Sequence, residues 1–339
     1  MLKRAGIKII FFSILMMFSS GSAMCEENIH TYIMSGNVSK VKMLLDENPQ
    51  LVHQVDAGFT PLIRAVARGQ KAIVELLIDR GAKINEQVGE SEAYFVESSP
   101  LQAAVFYGYK DIAELLISKG ADVSFRDTIG KTPVYAALNG IGDKREILAL
   151  LISKGASVNG KIQSEGTCPK GALCDGLRHG GWTPLHLAVS RNDKESVALL
   201  ISAGAHINEK DEAGDTPLYL SRSWPEGKEV TELLIEKGAG VDVKNNSGET
   251  PLLFALIQND YSKARFFIEK GADVNIKTQG DLSPLAIVFS AGYDLASASY
   301  KRSPQNIAMI KLLIAKGADT NISNDGDPAW ERLIGKHSR

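Results

Sequence analysis

The sequence is poor in the side chains that build catalytic and metal sites. Among its 339 residues there are three cysteines and six histidines, and no two histidines have the His-Glu-x-x-His spacing of zinc proteases. It also lacks a Gly-x-Ser-x-Gly elbow for a nucleophile, a Gly-x-x-x-x-Gly-Lys-Ser/Thr phosphate loop and a Gly-x-Gly-x-x-Gly turn. These absences indicate that the protein is not an enzyme, and they imply no cofactor and no metal.

The sequence also has little excess charge of either sign. The formal net charge is −2, from 38 basic and 40 acidic residues. Lys3, Arg4 and Lys8 lie in an amino-terminal stretch that contains no acid, so the rest of the chain is more acidic than this value. A protein that neutralises many phosphates needs a basic face. The composition therefore argues against nucleic acid as the partner.

No hydrophobic run reaches the roughly 20 residues needed to cross a bilayer. The run from Ile9 to Phe18 follows basic residues and precedes small residues up to Ala23, which is typical of a signal peptide. Residues 1–23 are therefore predicted to direct export to the periplasm or out of the cell, from a bacterium if the leader is taken at face value. No stable membrane insertion is expected after cleavage; an uncleaved membrane anchor is the alternative.

The cleavage position is open between two sites. Cleavage after Ala23 would start the mature chain at Met24, and cleavage after Cys25 would start it at Glu26. Lipid attachment at Cys25 is a further alternative, although the residues before it differ from a lipid-attachment sequence.

The other two cysteines, Cys168 and Cys174, lie in a loop segment that has no core of its own. In an exported protein such a pair is typical of a disulfide bond, which we predict here. Zinc binding with Asp175 and His179 is one alternative, but five residues between the cysteines is a wider spacing than in common zinc sites. Free thiols are the other alternative.

One pattern recurs along the sequence with a base period of 33 residues. A Ser/Thr-Pro pair opens a short apolar segment, a polar break and a second apolar segment follow, and Gly-Ala ends the unit. Ser or Thr before Pro is typical of a helix start, and glycine after an apolar helix is typical of its end. The pattern predicts two short helices per unit. The prolines are Pro61, Pro100, Pro133, Pro184, Pro217, Pro251 and Pro284, and the glycines are Gly81, Gly120, Gly155, Gly204, Gly238, Gly271 and Gly317.

From about residue 28 to 334 the sequence resembles the ankyrin-repeat family, whose units have this period and begin Thr-Pro-Leu-His. Thr183-Pro184-Leu185-His186 keeps the whole tetrapeptide. The resemblance implies an all-α repeat solenoid of helix-turn-helix repeats with β-hairpin loops, as one domain over residues 24–339. Its parts are a degenerate N-terminal cap repeat at 28–56, seven repeats over 57–324 and a partial C-terminal cap at 325–339.

Three insertions interrupt the period, near 88–98, 160–180 and 290–304. The first two lengthen hairpins, whereas the third separates the two helices of its repeat. The resemblance therefore places the first two on one side of the repeats and the third at the opposite end of its helix pair. Because insertions in repeat proteins often mark the binding face, this placement favours the hairpin side.

The resemblance also implies a concave binding surface along the hairpin tips and the ends of the first helices. Trp, Tyr and Arg, which dominate interface hot spots, recur two residues before the repeat proline and seven after it. We expect Trp182 and Arg191 to bind a partner without contributing to the core. The candidate protein-binding residues are Phe59, Arg68, Tyr107, Lys131, Trp182, Arg191, Trp224 and Glu249.

A rigid, preformed surface without a catalytic motif predicts a protein–protein interaction scaffold. We expect a monomer that binds another protein. A periplasmic inhibitor or protector of one enzyme is an alternative function, and a secreted effector that acts on host proteins is another. The sequence does not identify the partner.

Overall fold

The computed structural model describes residues 28–87, 99–128, 130–141, 144–163, 180–291, 293–294, 299–300 and 303–321. The predicted signal peptide at 1–23, the insertion at 88–98, the predicted Cys168–Cys174 disulfide and the partial cap at 325–339 lie outside them. Within these ranges, no helix is long and apolar enough to cross a membrane.

The described residues form an all-helical repeat fold, as predicted, with fifteen α-helices, two 3-10 helices and one pair of two-residue strands. The strands are β1 (Tyr293–Asp294) and β2 (Ser299–Tyr300), antiparallel, with Tyr293 opposite Tyr300. The 3-10 helices are Pro49–His53 and Pro217–Leu220. The α-helices are α1 (Ile29–Met34), α2 (Val38–Glu47), α3 (Pro61–Ala67), α4 (Lys71–Asp79), α5 (Pro100–Tyr107), α6 (Lys110–Ser118), α7 (Pro133–Asn139), α8 (Lys144–Ser153), α9 (Pro184–Ser190), α10 (Lys194–Ser202), α11 (Lys228–Glu236), α12 (Pro251–Ile257), α13 (Tyr261–Glu269), α14 (Pro284–Ser290) and α15 (Pro304–Ala315).

The Ser/Thr-Pro pairs begin helices because both residues suit a helix start. The Thr60 hydroxyl accepts a hydrogen bond from the N–H of Ile63, and Pro61 occupies the first helical position, where no N–H is needed. The same cap begins α5, α7, α9, α12 and α14. Thr216 makes no such side-chain bond, and Pro217 opens a 3-10 helix instead of an α-helix.

The described residues divide at Val158 into two compact units. In unit one, residues 28–157, the first helices α1, α3, α5 and α7 pack on one another in order, and the second helices α2, α4, α6 and α8 form a parallel layer. In unit two, residues 158–321, α9 packs on the 3-10 helix Pro217–Leu220, which packs on α12, and α12 packs on α14. The first helices are mostly buried, which explains their short, apolar sequences.

Asparagine side chains fix the spacing of neighbouring repeats. In unit two, Asn208 Nδ2 donates to the carbonyl of Gly238 at 3.2 Å, and its Oδ1 accepts from the N–H of Gly240 at 2.8 Å. Asn85, Asn159 and Asn275 make the same pair of bonds to the glycine that ends the following repeat and to the residue two further on. Each bridge supplies a hydrogen-bond donor to the carbonyl of the glycine that lies just beyond a helix end.

Lysines form a second set of links in unit two. Lys161 Nζ donates to the carbonyl of Lys210 at 2.8 Å, Lys210 Nζ to that of Lys244 at 2.7 Å, and Lys244 Nζ to that of Lys277 at 3.2 Å. Each ammonium group thus donates a hydrogen bond to the backbone of the next repeat. These lysines therefore help to hold neighbouring repeats together.

The repeat that begins at Pro217 lacks a first α-helix, and a lysine from the next repeat fills the space. Lys263 is 5% exposed, and its Nζ donates to the carbonyl of Ser221 at 2.6 Å and to that of Arg222 at 3.4 Å. Burial lowers the pKa of Lys263 to about 8, against the opposing effect of the Asp260 carboxylate. An ammonium group therefore replaces the backbone donors that a regular helix would have supplied.

Candidate protein-binding surface

The eight candidate residues lie at corresponding places in the two units. Arg68 caps the C-terminus of α3, Tyr107 ends α5 and Arg191 caps α9. Phe59, Lys131, Trp182 and Glu249 lie in the turns before first helices, and Trp224 follows the 3-10 helix. Unit one contributes Phe59, Arg68, Tyr107 and Lys131, and unit two contributes Trp182, Arg191, Trp224 and Glu249.

In unit one, Arg68 and Tyr107 lie at the ends of the consecutive first helices α3 and α5, which pack on each other. Both are half-buried. Burial raises the pKa of Tyr107 to about 12, while the nearby charge of Arg68 acts in the opposite direction. The Tyr107 ring stacks on Tyr109 with centroids 5.8 Å apart and meets Phe106 edge-on at 5.5 Å. The result is an aromatic cluster beside a guanidinium group at the ends of the first helices.

Phe59 is half-buried in the turn before α3 and contacts Arg64, a residue that the sequence analysis did not include among the candidates. The Arg64 guanidinium lies 5.3 Å from the Phe59 ring centroid, in a cation–π contact. Arg64 Nη2 also donates to Asp56, at 2.8 Å to the carbonyl and 3.0 Å to Oδ2. Arg64 is thus the link between the turn tip and the first helix in this repeat.

Lys131 lies in the turn before α7, and its backbone anchors that turn. The Lys131 carbonyl accepts from Gln102 Nε2 at 2.8 Å and from the N–H of Asp127 at 3.1 Å, while its own N–H donates to Asp127 Oδ1 at 2.7 Å. The side chain is half-buried. The backbone of Lys131 is therefore fixed in the turn by these hydrogen bonds.

Trp182 requires a correction, because the expectation that its ring contributes nothing to the core is wrong. Its side chain is 6% exposed and stacks on His186 with centroids 6.3 Å apart. Its Nε1–H donates to Asp211 Oδ2 at 3.1 Å. The backbone of Trp182 accepts from the N–H of Ile162 at 3.0 Å, and the N–H of Gly181 donates back to Ile162 at 2.8 Å. This backbone pairing closes the base of the insertion and turns the indole inward.

Glu249 belongs to a polar cluster in the corresponding turns of unit two. Its Oε2 accepts from the hydroxyl of Tyr219 at 2.5 Å and from Asn245 Nδ2 at 3.3 Å, and Asn245 Nδ2 also donates to Asp215 Oδ1 at 2.9 Å. Burial and the Glu249 carboxylate raise the pKa of Tyr219, and burial raises that of Asp215. Glu249 therefore helps to hold adjacent turns together through these hydrogen bonds.

Arg191 and Trp224 differ in exposure. Arg191 is exposed, whereas Trp224 is half-buried and packs on Phe266 with ring centroids 5.2 Å apart. Lys228 Nζ lies 5.5 Å from the Trp224 ring centroid, and the Trp224 N–H donates to Asp260 Oδ2 at 2.8 Å. Trp224 thus fills the irregular repeat as well as contributing surface, while Arg191 is the more accessible of the two.

The described ranges contain no group of three or more His, Cys, Asp or Glu side chains that could hold a metal ion. The buried histidine of the motif has a structural role instead. His186 Nδ1 accepts from the N–H of Thr183 at 3.1 Å, and its Nε2–H donates to the carbonyl of Asp215 at 3.1 Å. Burial lowers the pKa of His186, so the neutral imidazole is the form that this site favours.

Paired helices stacked in two layers, with hydrogen-bonded turns between the pairs, define a helical repeat protein. A sequence profile described as ankyrin repeats (three copies) matches residues 13–88, 90–162, 166–245 and 185–278. These matches cover more than half of the chain, which therefore belongs to the ankyrin-repeat family. Ankyrin repeats mediate the binding of protein partners, so the chain is a protein–protein interaction scaffold.

Similar curated proteins come from poxviruses. The ankyrin repeat protein OPG189 of monkeypox virus is 42% identical over 52 residues, which is 15% of this chain and 9% of the viral protein. The protein of the same name from variola virus is 31% identical over 98 residues, which is 29% of this chain and 14% of the viral protein. The chain thus matches a small part of these relatives. They lend no support to the bacterial origin that the leader suggested.

Proposed function

We propose that this protein is exported and holds a protein partner through the turn tips and first-helix ends that each unit presents. The observation that carries the proposal is the repeated placement of Arg and Tyr at those ends, with Arg68 beside Tyr107 in unit one and Arg191 exposed at the matching position in unit two. Arginine and tyrosine bury much area on binding and are enriched in hot spots. The buried first helices beneath them make the surface rigid, so little ordering entropy is lost on binding.

The partner-binding part is tested by replacing Arg191, because its side chain is exposed and caps a helix through its backbone. A partner is first captured by pull-down from a periplasmic extract and identified. Arg191→Ala is expected to weaken its binding by about 2 kcal/mol, measured by titration calorimetry, while the free energy of unfolding changes by less than about 0.5 kcal/mol.

The matched control is Arg265→Ala, which removes an exposed arginine from the second helix α13 of the same unit. It is expected to leave binding unchanged. Equal effects of the two substitutions would exclude this surface and direct attention to the 290–304 insertion. The chemical nature of the captured protein separates the possible roles: an enzyme inhibited or protected by the complex, or a host protein.

Export rests on residues 1–23, which lie outside the described residues. We expect the mass of the protein from a periplasmic fraction to correspond to a mature chain starting at Met24 or Glu26. Intact mass spectrometry makes the measurement, and a chain that retains Met1 in the cytoplasm would refute export. The Cys168–Cys174 disulfide remains a prediction that belongs to the same compartment.

A further inference from the structure

His30 occupies a core position of the first helix that is apolar in the seven repeats that follow. It is the second residue of α1, which begins after the Asn28 cap, and it is 1% exposed. A buried titratable ring resists taking up a proton, because burial disfavours the charged form. An ionisable side chain thus stands where the repeat needs only apolar packing. The residues at the second position of the other first helices, and of the 3-10 helix that replaces one of them, are Leu62, Leu101, Val134, Leu185, Leu218, Leu252 and Leu285, all 2% exposed or less.

A hydrogen bond joins His30 to the turn that follows the 3-10 helix Pro49–His53. The Nε2 atom of His30 lies 2.7 Å from the carbonyl oxygen of Gln54. Because a carbonyl oxygen only accepts, the proton of the neutral ring is on Nε2 and Nδ1 is an acceptor. Nδ1 is buried and has no hydrogen-bond partner among the residues that the structure describes. Protonation of the ring would therefore create a second N–H at this unpartnered atom.

A positive charge already acts on this ring. Arg64, on α3, reaches the same turn as His30, where its Nη2 donates to the carbonyl of Asp56 at 2.8 Å and to Asp56 Oδ2 at 3.0 Å. Burial lowers the pKa of His30, and the charge of Arg64 acts in the same direction. The hydrogen bond to Gln54 and the Asp56 carboxylate oppose this lowering of the pKa. A protonated His30 would thus add a second buried cation near the guanidinium group.

Arg64 and Asp56 are the charged groups that act on His30 from the elements packed around it. α1 packs on α2 and α3, and the 3-10 helix packs on both of these. His53, at the end of the 3-10 helix, is exposed. Asp56 already forms a salt bridge with Arg64 at 3.0 Å, so its carboxylate is shared between the two cations once His30 is protonated. The charged residues of α2 lie at the surface, exposed or half-buried, and are Lys40, Lys42, Asp46 and Glu47.

We propose that His30 is an acid-sensitive latch, which holds the amino-terminal repeat (residues 28–56) on α3 while its ring is neutral and releases that repeat when the ring is protonated. Opening of α1 and α2 hydrates the imidazolium and separates it from Arg64, so the open form binds the proton more tightly. By linkage, the open form gains population as the pH falls. This device does not depend on the proposed function.

Opening is expected to become more favourable only below about pH 6.5, the ordinary histidine pKa, which applies to the open form. Above this pH both forms are neutral, and opening through His30 does not depend on pH. Below it the open form binds more protons, because the pKa of His30 is lowered in the closed form. The equilibrium constant for opening then rises by up to about tenfold for each pH unit.

Hydrogen–deuterium exchange of the whole chain, read by mass spectrometry of peptides from α1 and α2, tests the latch. After correction for the intrinsic pH dependence of exchange, the opening constant of these helices should rise about fivefold or more from about pH 7.5 to about pH 5.5. His30→Leu should reduce this rise to less than about twofold. The variant is expected to fold, because leucine is buried at the same position in α3 and α5. His30→Gln, which keeps an N–H donor without a titratable ring, should lose the response in the same way.

His53→Gln is the matched control, because His53 lies in the same repeat and is exposed. It should keep the full pH response of the natural protein. In all these proteins α6, two repeats further along unit one, should change by less than about twofold, since the opening is local. An equal pH response in the natural protein and in His30→Leu would overturn the proposal. Loss of the response in His53→Gln would also overturn it, as would an equal rise in α6, which would show that unit one opens as a whole.

Discussion

Replacement of Trp182 by alanine is expected to lower the free energy of unfolding by about 3 to 5 kcal/mol, the usual cost of removing a large buried aromatic side chain. The indole is 6% exposed, stacks on His186 and donates to Asp211. Its removal leaves a cavity at the start of α9 and a carboxylate without that donor. Urea unfolding of the whole chain measures the change.

Two substitutions control this experiment. Trp182→Phe keeps most of the ring volume but removes the Nε1–H donor, so it should cost about 1 kcal/mol, the typical value of one hydrogen bond. Arg191→Ala lies in the same repeat, is exposed, and should change stability by less than about 0.5 kcal/mol. A loss below about 1 kcal/mol in Trp182→Ala would show that the indole does not support the repeat.

The stability of the protein is expected to rise with pH between 7.5 and 9.5 because of Lys263. The usual lysine pKa of 10.5 applies to the unfolded chain, whereas burial lowers the pKa of Lys263 to about 8 in the folded protein. The unfolded state therefore binds more protons between these two values, and linkage requires stability to increase with pH there. The destabilising contribution is about 3 kcal/mol below pH 8 and is removed as the pH rises toward 10.5.

Urea titrations at several pH values measure this effect, with Lys263→Met as the reference. The gain in unfolding free energy from pH 7.5 to 9.5 should be about 2 kcal/mol larger in the natural protein than in the variant. This window lies below the ordinary tyrosine pKa of about 10, so deprotonation of Tyr107 and Tyr219 does not interfere. Parallel pH profiles of the two proteins would show that the amine is not buried in its charged form.

The helix starts could be predicted from the sequence because their causes are local. A Ser or Thr hydroxyl and the proline that follows it act within four residues, so the pattern locates α3, α5, α7, α9, α12 and α14 without knowledge of tertiary contacts. Thr216-Pro217 has the same letters but opens a 3-10 helix, because the segment after it is replaced by the turn that Lys263 fills. That replacement is a tertiary effect.

Different residues at the histidine position of the repeat motif can make the same hydrogen bonds, so comparing residue types alone misses this similarity between repeats. Gln102 stands where His186 stands in its own repeat, and the two residues make the same bonds. Gln102 Oε1 accepts from the N–H of Ser99 at 2.9 Å, and its Nε2 donates to the turn of the next repeat at Lys131. An amide and a neutral imidazole each offer one acceptor and one donor in suitable positions, so the chemistry persists although the residue differs.

The candidate surface was predictable in part. The register identified the ends of the first helices, where the structure places Arg68, Tyr107 and Arg191. It could not predict that Trp182 turns inward, because that depends on the pairing with Ile162 across the insertion. Arg64 could have been found, since a charged residue at an otherwise apolar repeat position is visible when the repeats are aligned.

The pairing of Ile162 with Trp182 also bears on how this chain can change in evolution. Because the two ends of the intervening segment are joined by backbone hydrogen bonds, the segment begins and ends at one place on the repeat stack. Lengthening such a loop costs little, about 0.6 kcal/mol for each doubling of its length. New sequence can therefore be acquired, lost or grafted between these residues while Ile162 and Trp182 stay paired.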